Sequence, residues 1–434
     1  MKMTVFEMML DMEFRRRFIE KKKVNYKICS DEMSEMCAYI LSDECTHDIQ
    51  RLIRGDYFFM TPKLIKLRKS HSNRRREIYR FTDHEILLMK LMAYALHKYD
   101  YLFSDSLYSF RMNMRNADLF EKLSKLKDRE KLYVLKTDIS NYGGNVDPEI
   151  LIEELEKTIR PTDESFYCFC KWLLSQKKCF WEGELIEKNM GACSGTPLTC
   201  FFENIYLLSV DEEMRNRSDF YCRYCDDIAV FVRTEEEAEA CKSFLKKELQ
   251  VRNLSFNEEK TQICFPGESV DLLGIKISED HYDIADHSME KIKWKMTHRR
   301  DKLLKRIRMK RMTKEKAMDN MIRFANWYFF GVKRYDRELN WVAWAFPVLT
   351  REKSLKEIDA HVQECIRIVG SGKKTDAKYR VTYKNMKERG YKNLVYAFYH
   401  GYDVMEEQNE ITDCNSESSG RECSGDSCDD AGVL

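Results

Sequence analysis

Proline and glycine are scarce in this sequence, with 6 and 16 of the 434 residues. Such a low content excludes long flexible linkers and is typical of a helix-rich globular protein. No stretch of about 18 uncharged apolar residues occurs, so we expect no transmembrane helix. The first residues lack the apolar core and the cleavage site of a signal peptide, so we expect a cytoplasmic protein whose 16 cysteines are reduced thiols.

Charge is unevenly distributed along the chain. Ten acidic residues and one basic residue lie between 403 and 434, and subtracting this −9 from the total of +1 leaves +10 on residues 1–402. A basic body suits a polyanionic partner such as nucleic acid, although a solubilising tail on an ordinary protein would give the same totals. We predict that residues 403–434 form an acidic disordered tail.

The order of the predicted elements indicates an α+β protein rather than a doubly wound sheet. Residues 1–55 are predicted to form a helical N-terminal extension, residues 56–280 a mixed region that starts with a basic loop or hairpin, and residues 285–402 a helical region. Within the mixed region we predict one long helix from about residue 197 to 214, and another helix with Asp83 as its N-cap.

Three acidic side chains lie at the ends of predicted strands. Asp226 and Asp227 stand in the turn of a predicted hairpin, and Asp138 lies near the end of a strand predicted at 131–140. An isolated Asp-Asp turn is usually only solvated. If the strands are neighbours, however, all three carboxylates meet at one sheet edge, where they can bind the pair of Mg²⁺ ions that two-metal polymerases need.

Several segments together resemble prokaryotic reverse transcriptases, the broad group that includes group II intron, retron and defence-associated enzymes. Residues 224–227 (YCDD) resemble the tyrosine-x-aspartate-aspartate box, and residues 135–142 (LKTDISNY) resemble the strand that carries the first aspartate. Four further segments also resemble family motifs: a fingers motif at 108–111, a nucleotide-supporting loop and helix at 191–207, and two later blocks at 257–261 and 272–275. All of these segments occur in the same order as in the family.

The resemblance implies a right-hand polymerase fold, with fingers and an antiparallel palm sheet in residues 56–280 and a helical thumb in residues 285–402. It implies RNA-directed transfer of nucleotides to a 3′ end, with two Mg²⁺ ions as cofactors, or Mn²⁺ in their place. The ions would be held by Asp138, Ile139 through its backbone, Asp226 and Asp227.

The resemblance also implies contacts to substrates. Lys260 would assist the departure of pyrophosphate, unless it is a plain surface charge. Arg76 would bind the triphosphate, with Arg74 and Arg75 as alternatives in a run that could also be a solvated basic face. The other expected nucleotide contacts are Arg111, Ile139, Tyr142, Gly143, Ser194 and Gly195. Contacts to duplex phosphates are expected from Lys293, Arg299, Arg300, Lys305 and Arg306, charges that a plain helical bundle could also carry.

Two residues depart from the family pattern. Ser194 stands where the family usually has glutamine before the glycine of the nucleotide-supporting loop. Gly143, five positions after Asp138, stands where an aromatic ring usually blocks the ribose 2′-hydroxyl. We therefore predict relaxed sugar selection, with ribonucleotides accepted alongside or instead of deoxyribonucleotides. The alternative is a local shift of register that makes Tyr142 the gate.

The leading interpretation is a stand-alone polymerase with an RNA template, a nucleic-acid primer, nucleoside triphosphates and a dedicated noncoding RNA as candidate partners, and no membrane partner. Because no endonuclease motif is recognisable after the predicted thumb, an antiphage-defence role is favoured over independent mobility. The alternatives are an RNA-binding intron splicing factor, a template-independent polymerase and a non-catalytic scaffold. Clustered carboxylates argue against the scaffold, because they repel one another and folding does not need them.

Overall fold

The computed structural model describes residues 3–23, 30–56, 58–68, 75–333, 340–373, 377–402 and 405–406. By their contacts these residues form two compact units, the first ending at Pro266 and the second beginning at Gly267. Among the described residues, no helix is both long enough and apolar enough to cross a membrane.

The first unit contains both helices and strands. In chain order its elements are α1 (Val5–Leu10), α2 (Met12–Lys23), α3 (Ser30–Ile40), α4 (Asp43–Arg54), β1 (Lys63–Arg68), β2 (Arg75–Arg80), α5 (Asp83–Ala95), α6 (Asn116–Ser124), β3 (Tyr133–Asp138), α7 (Tyr142–Asn145), α8 (Pro148–Thr158), α9 (Glu164–Leu174), β4 (Lys178–Trp181), β5 (Glu184–Glu187), α10 (Thr199–Tyr206), α11 (Leu208–Asn216), β6 (Phe220–Tyr224), β7 (Asp227–Val232), α12 (Glu235–Val251) and β8 (Gln262–Cys264). Short 3₁₀ turns occur at Leu96–Leu102, Arg129–Lys131 and Glu258–Lys260.

The second unit is mainly helical. Its elements are β9 (Val270–Leu272), β10 (Ile275–Ile277), β11 (Tyr282–Ile284), α13 (Asp286–Arg308), α14 (Lys314–Phe330), β12 (Val332–Lys333), α15 (Trp341–Ala345), α16 (Lys353–Ser371), α17 (Ala377–Arg380), α18 (Tyr383–Glu388), α19 (Leu394–His400) and β13 (Met405–Glu406). The helices from α13 onward agree with the predicted helical thumb. Strands β9 to β11, by contrast, belong by contacts to this unit, although we assigned residues up to 280 to the palm.

The N-terminal helices share the core of the first unit. Phe6 on α1 is fully buried and meets the rings of Phe166 and Phe169 on α9 edge to face, with ring centroids 5.9 and 6.0 Å apart. The predicted helices in residues 1–55 are therefore present, but they are built into the first unit rather than forming a separate extension.

The palm sheet is antiparallel throughout and has the order β6-β7-β3-β8. Strand β3 lies inside the sheet and is almost entirely buried, which fits its apolar sequence. A second sheet, with the order β2-β1-β4-β5, contains the predicted basic hairpin as β1 and β2. Of that hairpin, residues 69–74, which include Arg74, lie outside the described residues.

Three sequence predictions need correction. The helix predicted from 197 to 214 is two helices, because Leu207 leaves the helical conformation with φ −111° and ψ 16°. The N-cap of α5 is Thr82, which forms a capping box with Glu85, and not Asp83. Met405–Glu406 pairs with Val332–Lys333, so the predicted disordered tail does not begin at 403, and the rest of it lies outside the described residues.

A buried ion pair fixes the palm hairpin to α11. Arg223 on β6 is fully buried and makes two hydrogen bonds to the carboxylate of Asp211, at 2.7 and 2.6 Å. It also donates to the carbonyl oxygen of Cys225 at 3.2 Å, in the turn of the hairpin. Tyr221 donates to the same carboxylate at 2.8 Å. Because the helix is broken at Leu207, α11 is separate from α10, and its residue Asp211 contacts Arg223 on β6.

We predict that Asp211→Ala lowers the free energy of unfolding by about 3–5 kcal/mol, because it leaves the buried guanidinium of Arg223 without its partner. Urea unfolding followed by tryptophan fluorescence measures the change. The matched control is Glu212→Ala on the same helix, where an exposed carboxylate forms a 3.9 Å surface pair with Arg215 and should contribute less than about 1 kcal/mol. Equal losses in the two variants would contradict this role for the buried pair.

Candidate active site

The three predicted carboxylates meet at one edge of the palm sheet. Asp138, the last residue of β3, is the cross-strand partner of Asp227, the first residue of β7. Asp226 lies in the turn, and its carbonyl oxygen accepts a 3.0 Å hydrogen bond from the amide of Ile139. This backbone bond fastens the turn to the end of β3, so the proximity predicted from the sequence is confirmed.

The turn that carries Asp226 is tight. Tyr224 pairs with Asp227, which leaves Cys225 and Asp226 as its two central residues. Cys225 has φ +52°, a left-handed conformation that suits the first position of a two-residue hairpin but is unfavourable for a residue with a side chain. The bond from Arg223 to the carbonyl oxygen of Cys225 helps to hold it.

Negative charge is concentrated at this edge. Burial, together with the charges of Asp138 and Asp227, raises the pKa of Asp226 to about 6. Lys260 donates to Asp138 Oδ1 at 2.9 Å, and Asn257 donates to Asp138 Oδ2 at 3.3 Å. The pKa of Lys260 is raised, with burial opposing a hydrogen bond to Asp138 and the charges of all three aspartates. The structure thus brings Lys260 to the predicted site.

The donor set fits the predicted ions. Three carboxylates without a nitrogen or sulfur ligand are the hard oxygen donors that Mg²⁺ prefers, and their mutual repulsion favours a bound cation. A different group lies beside them: the ligand atoms of Cys200, Glu203 and Cys225 are all within 4.8 Å of one another. The positive charges of Arg223 and Arg76 lie close enough to Glu203 to lower its pKa in part. These charges oppose the binding of a cation at that second group.

Tyr142 is not exposed at the site. Its ring is buried, and its hydroxyl donates a 2.5 Å hydrogen bond to the carbonyl oxygen of Glu203. Burial raises the pKa of this hydroxyl well above its usual value. The ring therefore lies in the interior against α10, and the hydroxyl is not free to face a substrate.

Gly143 is surrounded closely by polar atoms. A Cβ atom there would lie 2.8 Å from Glu203 Oε1, 2.8 Å from Ser194 Oγ and 3.3 Å from Thr199 Cγ2. Burial, followed by the charges of Cys225 and Asp226, raises the pKa of Glu203 to about 8. A side chain at position 143 would therefore meet a carboxyl and a hydroxyl from other segments.

The loop before α10 is anchored to the fingers sheet. The carbonyl oxygen of Ser194 accepts a 2.9 Å hydrogen bond from the amide of Tyr79 on β2. Gly195 has φ +89°, and a Cβ atom there would lie 2.6 Å from Cβ of Ile78, so only glycine permits this approach. Ser194 thus lies beside Gly143 and Gly195 lies against β2, while the predicted contacts of both residues to a nucleotide stay predictions.

The predicted arginines differ in their surroundings. Arg75 and Arg76 are exposed on β2, and the charge of Arg76 reaches Glu203. Arg111 donates to the carbonyl oxygens of Phe103, Ser104 and Leu107, and lies 3.7 Å from Asp100. These contacts give Arg111 a role in holding its own loop, and its predicted contact to the nucleotide stays a prediction.

The predicted duplex-binding residues all lie on α13. Lys305 and Arg306 are exposed, whereas Lys293 faces Glu357 at 3.5 Å and Arg300 is ion-paired with Asp301. The Arg299 guanidinium lies 5.2 Å from the ring centre of Phe324. Three of the five side chains are therefore engaged within the protein. Sequence reasoning missed the exposed Trp294, which stacks on His298 with an 8° angle between the rings.

A comparison with known protein families matches the segment that contains this site. The family described as "Reverse transcriptase (RNA-dependent DNA polymerase)" matches residues 71–277, which include all three aspartates and Lys260. The chain contains a reverse transcriptase domain. Reverse transcriptases are nucleotidyltransferases that copy RNA into DNA, and the predicted α+β right-hand polymerase fold is confirmed by this domain together with its antiparallel palm sheet.

Among curated proteins, none matches this chain. Among solved structures, this chain is similar to apo telomerase from Candida tropicalis, with 9% identity and a TM-score of 0.43 over 77% of this chain and 63% of that chain. It is also similar to telomerase from Candida albicans in complex with the TWJ fragment of telomeric RNA, with 12% identity and a TM-score of 0.42 over 77% and 64%. The chain spans less than two thirds of the length of either structure.

We predict that Asp226→Asn stabilises the metal-free protein at neutral pH. The folded-state pKa of about 6 lies above the usual value of about 3.9 for an unfolded chain, so ionisation of Asp226 disfavours folding. The wild type should therefore lose stability as pH rises through about 6, whereas the variant should not. In EDTA at pH 7.5 the variant should have a higher melting temperature than the wild type, which corresponds to a free energy of unfolding larger by about 1–3 kcal/mol. Near pH 4 the two proteins should have the same melting temperature.

The control for this measurement is Asp219→Asn at the other end of the hairpin, where the carboxylate pairs with Arg233 rather than with other acids. This control should show no stabilisation at pH 7.5. If the difference in stability between the wild type and Asp226→Asn does not change with pH, the crowding of the three carboxylates is contradicted.

Proposed function

We propose that the protein is an RNA-directed polymerase that adds nucleotides from triphosphates to the 3′ end of a nucleic-acid primer. The observation that carries this proposal is the placement of Asp138 opposite Asp227, with Asp226 in the adjoining turn. The matched domain supports the same activity. Membership of a prokaryotic subgroup and an antiphage-defence role remain predictions from the sequence.

In this proposal Asp138, Asp226, Asp227 and the carbonyl oxygen of Ile139 hold two Mg²⁺ ions. The ions would lower the pKa of the primer hydroxyl and stabilise charge on the triphosphate. Lys260, already bonded to Asp138, is close enough to the site to exchange that bond for a contact with the pyrophosphate and to give it a proton. Arg76, exposed on β2 with its charge reaching Glu203, is the candidate for the triphosphate.

Sugar selection is the finer part of the proposal. A ring on residue 143 would normally exclude the 2′-hydroxyl by its size, but Gly143 has no side chain and Tyr142 is turned into the interior. Primer extension with complete sets of ribonucleoside or deoxyribonucleoside triphosphates should therefore give products with both sets, or with ribonucleotides alone. Rejection of every ribonucleotide would contradict relaxed selection.

For the template and primer, we propose binding to α13. Its exposed face carries Lys305, Arg306 and the stacked pair of Trp294 and His298, a mixture of positive charge and aromatic surface that suits a phosphate backbone. A dedicated noncoding RNA is a candidate template. An intron-splicing factor would use the same face for structured RNA and would not need the aspartates.

The test of the polymerase proposal is Asp226→Ala. It should abolish primer extension, by more than about a hundredfold, because the remaining carboxylates cannot complete the metal site. RNA affinity should remain, since the proposed RNA-binding residues lie on α13. The matched control is Asp219→Asn, on the same hairpin but away from the site, which should keep synthesis near the wild-type rate.

Extension that survives Asp226→Ala would overturn the proposal. If the wild type extends no primer and both the wild type and Asp226→Ala support RNA splicing, the splicing factor is favoured instead. Sequencing the nucleic acid that copurifies with the wild type and with Asp226→Ala identifies the natural template.

A further inference from the structure

Glu203 is a buried acid in an otherwise apolar part of α10. The residue is 7% exposed, and its neighbours Phe201, Phe202 and Ile205 are fully buried. Among the described residues, no hydrogen-bond donor reaches its carboxyl oxygens. The carboxyl oxygens are not among the fully buried polar atoms that lack a partner, so they are open to a ligand that enters the site and donates a hydrogen bond.

The carboxyl of Glu203 points at the gate position. Its Oε1 atom lies 2.8 Å from the point where a Cβ of Gly143 would be, and Ser194 Oγ lies at the same distance from that point. The two departures from the family pattern, Gly143 and Ser194, therefore surround one small volume. Besides Ser194 Oγ, Glu203 supplies a second polar group there, from a helix that the sequence reasoning did not connect with the sugar.

The position of Glu203 is fixed from both sides of the site. The hydroxyl of Tyr142, next to Gly143 in the chain, donates to the carbonyl oxygen of Glu203 at 2.5 Å. The following residue, Asn204, donates to the carbonyl oxygen of Ser109 at 3.1 Å. The first bond ties α10 to α7, which carries Gly143, and the second ties α10 to the segment at Ser109, so the backbone of Glu203 is anchored close to Gly143.

We propose that Glu203 binds the 2′-hydroxyl of the incoming nucleotide and thereby gives the enzyme a preference for ribonucleoside triphosphates. This inference rests on the proposed function, because it takes the nucleotide sugar to lie beside Gly143. Where an aromatic gate rejects the 2′-hydroxyl by its size, Glu203 accepts a hydrogen bond from it. Ser194 Oγ is the second polar atom available to the same hydroxyl.

The direction of the preference follows from the cost of an unpaired buried group. A deoxyribonucleotide has no hydroxyl for Glu203, so its binding would close the site over a carboxyl without a partner. Sites that bind a substrate hydroxyl discriminate strongly against the analogue that lacks it, whereas a merely open site accepts both. Gly143 alone would let the site accept both ribonucleotides and deoxyribonucleotides. The hydrogen bond to Glu203 would make the site prefer ribonucleotides.

The experiment measures kcat/KM for ATP and for 2′-deoxyATP on one primer–template, with the wild type and three variants. The wild type should favour ATP. Glu203→Ala should lower the ATP-to-deoxyATP ratio by at least about tenfold, because the hydroxyl loses its partner. Glu203→Gln, whose amide oxygen still accepts a hydrogen bond, should keep most of the ratio. The matched control, Glu213→Gln on α11, removes an exposed carboxylate that pairs with Arg217 and should leave the ratio unchanged.

A second measurement does not depend on turnover. The wild type, Glu203→Ala and Glu203→Gln are bound to a primer that ends in a 3′-deoxynucleotide, and the affinities for ATP and 2′-deoxyATP are compared. The wild type should bind ATP more tightly, and Glu203→Ala should bind the two nucleotides about equally. Circular dichroism spectra and melting temperatures near those of the wild type show that each variant is folded.

The outcomes separate this inference from the proposed function. If the wild type extends primers but Glu203→Ala leaves the nucleotide ratio unchanged in both measurements, Glu203 does not read the sugar, and the polymerase assignment stands. If the wild type extends no primer with any triphosphate, the proposed function itself fails. A stoichiometric zinc ion in the purified protein that is lost on Glu203→Ala would also overturn the inference, because Glu203 would then act with Cys200 and Cys225 as a metal ligand.

Discussion

The crowding of three carboxylates at one sheet edge is the constraint on which the rest of this structure depends. Asp138, Asp226 and Asp227 come from segments about 90 residues apart in the sequence, yet the pairing of β3 with β7 sets them side by side. Burial, together with the repulsion from the other two carboxylates, raises the pKa of Asp226 to about 6, so the fold bears a local cost. A protein that only needed a hairpin would not keep this arrangement, whereas one that binds divalent cations there requires it.

Contacts around this edge hold the acids in position. The buried pair of Arg223 and Asp211 fastens the hairpin to α11, and the bond from Ile139 to the carbonyl of Asp226 fastens its turn to β3. Lys260 neutralises part of the charge through Asp138. The glycine loop is fixed in the same way, because Ser194 is bonded to Tyr79 while Gly195 lies close against Ile78. Two sets of contacts therefore hold the edge with the three carboxylates and the loop around Ser194 in place.

Much of the first unit was predictable from the sequence. The hairpin, β3 and the helices that flank them follow from strong apolar periodicity and clear turn signals, and the three aspartates follow from their place at strand ends. The break at Leu207 was not predictable, because the apolar run contains no helix-breaking residue there. Likewise, Thr82 rather than Asp83 caps α5 because the reciprocal bond to Glu85 has the right spacing, a signal that was present in the sequence and overlooked.

The residues that sequence reasoning missed have one feature in common. Arg223 and Glu203 are single charged residues inside apolar elements, and both are buried. Such residues are rare, since each needs a partner or a function. Arg223 has its partner in Asp211, twelve residues away, which a periodicity argument does not identify. For Glu203, no described residue supplies a donor, and the group it faces became evident only when Gly143 and Ser194 were seen around the same small volume.

The most direct test of the central claim is a crystal structure of the protein with primer, template, a non-hydrolysable triphosphate and Mn²⁺, in which anomalous scattering locates the ions. We expect two Mn²⁺ ions about 4 Å apart, both ligated by Asp138 and by at least one of Asp226 and Asp227. Manganese bound elsewhere, with none of these three carboxylates among its ligands, would contradict the account.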